Sequence, residues 1–221
     1  PDLLPRLKEI RSNKHPYYVD GSPNSYIYDA DMDGNIEVTD QNGNHDKVIL
    51  VFGLRRGGKA YYALDVTDPA APKYLWKVDS SNSDFSELGQ TWSTPNFGLV
   101  KNSSGNVVLA AFVGAGYDNA NEDGRFGNTQ GFTNSDVSPP TNDAGYVTST
   151  ASVTPTKDGA TPVTNSPQGR GVYAFAIATI GSGGVPTVAT AATKLWGFVT
   201  GSSSNTYNSA RLTYSIPSDV T

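Results

Sequence analysis

The sequence predicts an all-β chain built from repeated sets of four short antiparallel strands, and three observations carry that expectation. β-Branched and aromatic residues recur in short apolar or alternating runs. Gly at 23 positions and Pro at 14 interrupt those runs at close intervals. The same order of strand types occurs twice and begins a third time. A single Met and the lack of any long Leu/Ala/Glu/Lys stretch speak against a helical bundle.

The elements follow in order. A Ser-x-Pro-type opening recurs at Ser22-Pro23, at Ser93-Thr94-Pro95 and at Ser215-Ile216-Pro217. After the first two openings comes an apolar run rich in Val that ends in Gly: residues 46–54 (DKVILVFGL) and 106–116 (NVVLAAFVGAG). An alternating Tyr-Ala run is next, KAYYALDV at 59–66 and GVYAFAIA at 171–178. Each unit then closes on a Leu-Trp run, around Trp76 and around Trp196.

Four antiparallel strands repeated in fixed order are the pattern of a β-propeller blade. The units are placed at 20–92 and 93–214, with a third beginning after them. The second unit is lengthened by a polar insert at 118–169, rich in Thr, Ser, Asn, Gly and Pro, which has too few apolar residues for a core of its own. It reads as a long surface loop. A β-sandwich whose strands share turns is the competing architecture.

A propeller closes with about four to eight blades. Two blades and the start of a third therefore read as a partial propeller, a fragment of a longer chain whose remaining blades are its first partner. The opening at Pro1, with neither Met nor signal peptide, suits that expectation. Residues 2–11 read as a short helix or a strand-free lead-in.

Composition narrows the function classes. The net charge is −5 and the 16 basic residues are scattered, so no nucleic-acid partner is expected. The absence of Cys removes disulfides, thiolate-bound zinc and thiol catalysis. No run approaches the length of a membrane-spanning helix. The Asn/Ser/Thr/Gly-rich texture favours an extracellular protein.

The sharpest local pattern is acidic. Residues 29–40 read DADMDGNIEVTD, with carboxylates at Asp29, Asp31, Asp33, Glu37 and Asp40, a Gly at 34 and an Ile at 36. Calcium is a hard cation that takes about six to eight oxygens. Alternate side chains of a tight loop point inward, so Asp29, Asp31 and Asp33 can converge, while Gly34 allows the sharp turn. Asn35 would offer its backbone carbonyl, and Ile36 would pin the loop to a core strand. Either Glu37 closes a nine-residue loop or Asp40 closes one of twelve. No amphipathic helix follows, which favours the shorter, hairpin-borne version. The competing reading is a solvated acidic turn, against which stands the repulsion of clustered carboxylates without a cation.

Other signals are weaker. Residues 118–124 imitate a second acidic loop, but Ala120 occupies a ligand position, so a turn is expected there. His15 and His45 lack neighbours that would make a nucleophilic site. The glycine-rich, basic 54–59 (LRRGGK) lies between two strands and is read as a hairpin turn. Trp76, Trp92 and Trp196 are read as core residues, and Asn102-Ser-Ser as a glycosylation-type triplet of little weight.

Several strings together resemble one family. HPYYVDGSP (15–23), FGLRRGGKAYYALDVTDP (52–69), LGQTWSTP (88–95), FVGAGYDN (112–119), GRGVYAFAI (169–177) and YSIPSDVT (214–221) are similar, in order, to the C-terminal propeller of the PilY1 family. These are type IV pilus-associated adhesins and biogenesis factors. The resemblance implies a secreted, non-catalytic protein at the pilus tip or outer cell surface. Its partners would be minor pilins of the tip complex and a host or abiotic surface. It also implies calcium in a DxDxDxxxD loop, which maps onto Asp29, Asp31, Asp33 and Glu37, with Glu in place of the last Asp. Blades of this family are quinoprotein-like, so a dehydrogenase dependent on pyrroloquinoline quinone is the alternative from another function class, and a purely architectural scaffold is a third.

Overall fold

The computed structural model describes residues 17–38, 45–118, 168–199 and 215–221, with positions 3, 4, 7 and 10 and three short strand segments besides. The first sheet is a meander of β1 (Asn24–Tyr28), β2 (Lys47–Gly53), β3 (Ala60–Asp65) and β4 (Lys73–Asp79), in spatial order 1-2-3-4. Each pair in it is antiparallel. The second sheet contains β5 (Asn96–Lys101), β6 (Val107–Gly114), β9 (Gly171–Ile180) and β10 (Pro186–Val199), again antiparallel neighbours in chain order. Each four-stranded set is a blade of the predicted kind.

The second sheet differs from the expectation at its edge. A fifth strand, β11 (Thr206–Asn208), pairs with β10 in parallel. β10 is also longer than the Leu-Trp run suggested, because Pro186–Val188 already pairs with the end of β9 before a bulge. A separate two-stranded ladder joins β7 (Thr156–Lys157) to β8 (Thr161–Pro162). Of the insert expected at 118–169, Asp118, Gln168 and Gly169 are described besides these two strands; its other residues lie outside the described residues, as do most of residues 2–11 and His15.

The core lies between the two sheets. Alternation in β2 sends Ile49 and Val51 inward, joined by Tyr61 and Ala63 of β3 and Trp76 and Val78 of β4. Opposite stand Leu109, Ala111 and Val113 of β6 with Tyr173, Phe175 and Ile177 of β9. Phe175 is the hub: Trp76 meets it edge-on at 5.6 Å, Phe85 edge-on at 5.9 Å, and Tyr61 tilted at 6.2 Å. Phe85 comes from the turn between β4 and β5, where the Asn82 side chain accepts the Asp84 N–H and shapes the turn.

Only one of the three tryptophans belongs to that core. Trp76 is buried in it, whereas Trp196 packs on Phe112 on the opposite face of the second sheet. Trp92 lies in the β4–β5 loop, half-buried beneath two arginines. The sequence pattern marks large apolar residues near strands but not the face they occupy.

The repeat has a physical basis in how one unit's opening crosses the previous one. A Cβ on Gly53 would meet the Thr91 carbonyl oxygen at 2.5 Å, and one on Gly114 would meet that of Ile216 at 2.3 Å. Thr91 lies two residues before the second opening and Ile216 within the third, so each Gly-ended strand ends in Gly where the chain passes over it at the next opening. The Asn24 amide donates to the Pro95 carbonyl and that of Asn96 to the Val220 carbonyl, which ties each opening strand to the next. Among the described residues, no helix is long and apolar enough to cross a membrane.

Candidate metal centre

The acidic loop connects β1 to β2, so its ends are set by one antiparallel pair. Asp46 immediately precedes β2 and is 2% exposed. Its two carboxylate oxygens accept backbone N–H bonds from Ala30 and Glu37, each at 2.8 Å. One buried carboxylate therefore draws the start and the close of the loop to the same point.

Within that mouth the backbone curls around Asp29. Its oxygens accept the Met32 N–H at 2.6 Å and the Gly34 N–H at 2.9 Å. Two left-handed residues make the curl, Met32 at φ +61° and Gly34 at φ +87°. Gly adopts that conformation without strain, whereas Met32 is 89% exposed and gains no packing there. The Gly34 N–H is the main influence holding the Asp29 carboxyl below its ordinary 3.8, helped by the N–H of Met32.

Asp31 accepts the Asp33 N–H at 3.3 Å, and Asp33 accepts both the backbone and side-chain N–H groups of Asn35, at 2.7 and 2.9 Å. The outcome is that Asp29, Asp31 and Asp33 present carboxylate oxygens within 4.8 Å of one another. An all-oxygen donor set of three anions suits a hard divalent cation, and the loop's own hydrogen bonds hold the three donors close together.

The remaining predicted positions fall differently. Asn35 points its side chain at Asp33. Glu37 is half-buried, its N–H held by Asp46, and stands outside the group of three. Asp40 lies outside the described residues. Asp46 is the residue that sequence reasoning missed. Its signal was an acid abutting an apolar strand, a position where burial requires hydrogen-bond partners.

Asp118, the first residue of the imitation loop, is buried and serves a different purpose. It accepts Lys59 Nζ at 3.2 Å and the Gln168 N–H at 3.0 Å. Gln168 in turn accepts Lys59 Nζ at 2.7 Å, so both ends of the insert meet at one lysine. The other residues of 118–124 lie outside the described residues.

With the blade and its loop in place, the relationships of the chain are informative. A family model for the PilY1 beta-propeller domain matches residues 7–131. The chain belongs to the PilY1 β-propeller family. The match runs through the first blade, the acidic loop and the first half of the second blade.

Among curated PilY1 relatives, a type IV pilus biogenesis factor PilY1 homolog of Xylella fastidiosa is 33% identical over 120 residues, covering 53% of this chain and 9% of that protein. The type IV pilus biogenesis factor PilY1 of Pseudomonas aeruginosa is 34% identical over 108 residues, covering 49% of this chain and 8% of that protein. The chain thus spans less than a tenth of the length of either relative. The crystal structure of the P. aeruginosa PilY1 C-terminal domain matches 53% of this chain and 20% of its own, at 30% identity and a TM-score of 0.33, too low to bear on the fold.

Proposed function

We propose that this chain is a calcium-binding, non-catalytic section of a PilY1-type propeller that supports type IV pilus assembly and surface attachment. The observation that carries the calcium assignment is the convergence of Asp29, Asp31 and Asp33 in a PilY1-family blade. Bound calcium would neutralise three like charges and lock the β1–β2 connection. The groups named for it are the carboxylates of Asp29, Asp31 and Asp33, the Asn35 carbonyl, and a closing acid at Glu37 or Asp40. Its role would be to stiffen a loop or to switch partner binding, because the site sits at a hairpin end and the carboxylates are local to one loop.

The outer faces of the blades support a place within a larger ring. Ile27 and Tyr74 on the first sheet and Phe198 on the second are exposed apolar residues. A groove of about 400 Å³ over the first sheet lies between Phe52, Tyr62 and Tyr74 and this chain's own Leu3, Leu4 and Leu7. Blades of the same polypeptide are the proposed cover for both faces. A pilus-tip or outer-surface location, with minor pilins and a host or abiotic surface as partners, completes the reading.

Titration calorimetry of the 221-residue chain with calcium is expected to show one saturable site that disappears in the Asp31→Ala/Asp33→Ala double variant. Heats that are equal in the two proteins would sink the assignment. For the pilus role, co-purification of the full-length protein with minor pilins is expected, and loss of pili in cells lacking it.

A further inference from the structure

A second charged site lies on the β2–β3 connection, and it is built from opposite chemistry. Leu54 to Gly58 forms a tight turn fastened from beneath by Thr91, which is fully buried. The Thr91 hydroxyl accepts the Leu54 N–H at 2.7 Å and donates to the Ala60 carbonyl at 2.9 Å. The Arg55 N–H donates to the Thr91 carbonyl at 3.1 Å. This clamp holds Arg55 at φ +47°, a left-handed conformation that a Gly would adopt more easily.

Two guanidinium groups meet at that turn. Arg55 stands 5.9 Å and Arg56 5.6 Å from the centre of the Trp92 ring. Arg56 is occupied: it pairs with Asp20 at 3.3 Å, donates to the Tyr17 hydroxyl at 2.9 Å and stacks on the Tyr17 ring at 4.3 Å. Among the described residues Arg55 forms no ion pair, and its Nε is buried without a hydrogen-bond partner. A buried guanidinium donor left unmatched is costly, and so is the gathering of two like charges. A strained Arg held by a rigid turn where Gly would be easier is a backbone outlier that points to a role beyond the turn itself.

We propose that Arg55, backed by Trp92 and flanked by Arg56, is a binding site for a carboxylate presented by an acidic peptide segment. The planar fork of Arg55 matches a carboxylate's two oxygens, and the Trp92 face supplies a flat apolar wall beside it. Nothing in this site depends on the acidic loop holding an ion.

The test uses the 221-residue chain in EGTA, so that calcium cannot bridge an acidic probe to the acidic loop. The probes are a fluorescent pentapeptide with three Asp/Glu residues, its Asn/Gln counterpart, and free glucuronate. The acidic pentapeptide is expected to bind saturably and to weaken with salt, while its amide counterpart does not bind. Arg55→Gly should weaken that binding at least about tenfold. The same variant should hold the melting temperature or raise it by up to about 4 °C, because the strained residue is gone. Failure of the acidic pentapeptide to bind, or equal binding by Arg55→Gly, overturns the proposal. A marked fall in melting temperature in Arg55→Gly would make the cluster mere packing, and binding of glucuronate alone would rule out a peptide ligand.

Discussion

At the scale of single residues, small hydrogen-bonding decisions control the acidic loop. Asp46→Asn keeps the side-chain shape but replaces one acceptor oxygen with a donor, so the N–H of either Ala30 or Glu37 loses its partner. The expected result is a loss of about 1–3 kcal/mol in urea unfolding and weaker calcium uptake by calorimetry. Met32→Gly should act in the opposite direction, adding up to about 1 kcal/mol by relieving a left-handed, solvent-exposed residue. Asp29, Asp31 and Asp33 were legible in the sequence because alternate spacing around a Gly is a local property. Asp46 was not, because its partners lie 16 and 9 residues away and only the hairpin brings them together.

At the scale of elements, the close of each Gly-ended strand is the vulnerable point. Gly53→Ala and Gly114→Ala should each destabilise the fold by about 1–3 kcal/mol, since the added Cβ meets a backbone oxygen that cannot swing away. Matched losses in chemical denaturation would confirm that both positions obey one rule. The strand ends of the first blade also set its acid sensitivity. Partial burial pushes the Asp65 carboxyl up, but the Thr67 hydroxyl and N–H, with Lys47, outweigh it and hold the group below 3.8. Asp79 is likewise held low, burial being outweighed by Lys77 and Ser81. A carboxyl depressed in the folded state stabilises it fully above about pH 4 and loses that effect as pH falls through the lowered value. Asp65→Asn/Asp79→Asn should therefore flatten the fall in the urea midpoint below about pH 4. The strands themselves were readable from period and punctuation, whereas the parallel β11 and the long β10 were not, since edge pairing depends on which backbone happens to lie alongside.

At the scale of the whole molecule, two blades share one aromatic core centred on Phe175. Phe175→Ala should cost about 3–5 kcal/mol and unfold both blades in one transition, because residues of both sheets lose the same contact. The insert should be separable from that core. Its ends are joined through Lys59, Asp118 and Gln168, and the chain beside them is fastened by the Arg170–Glu87 pair at 2.9 Å. Replacing residues 119–167 with a short Gly/Ser linker should therefore change stability by no more than about 2 kcal/mol, read by thermal unfolding.

The sequence by itself determined the strand order, the repeat, the family resemblance and the three converging aspartates. Each of these is written in local spacing or in a recurring string. The tertiary structure alone decided that Trp76 enters the core while Trp92 and Trp196 do not, and that Arg55 stands strained over Trp92 above the Thr91 clamp. It alone made Asp46 the residue that closes the acidic loop. Those features depend on which distant segments meet, and a periodic pattern names the face of a strand without naming what will cover it.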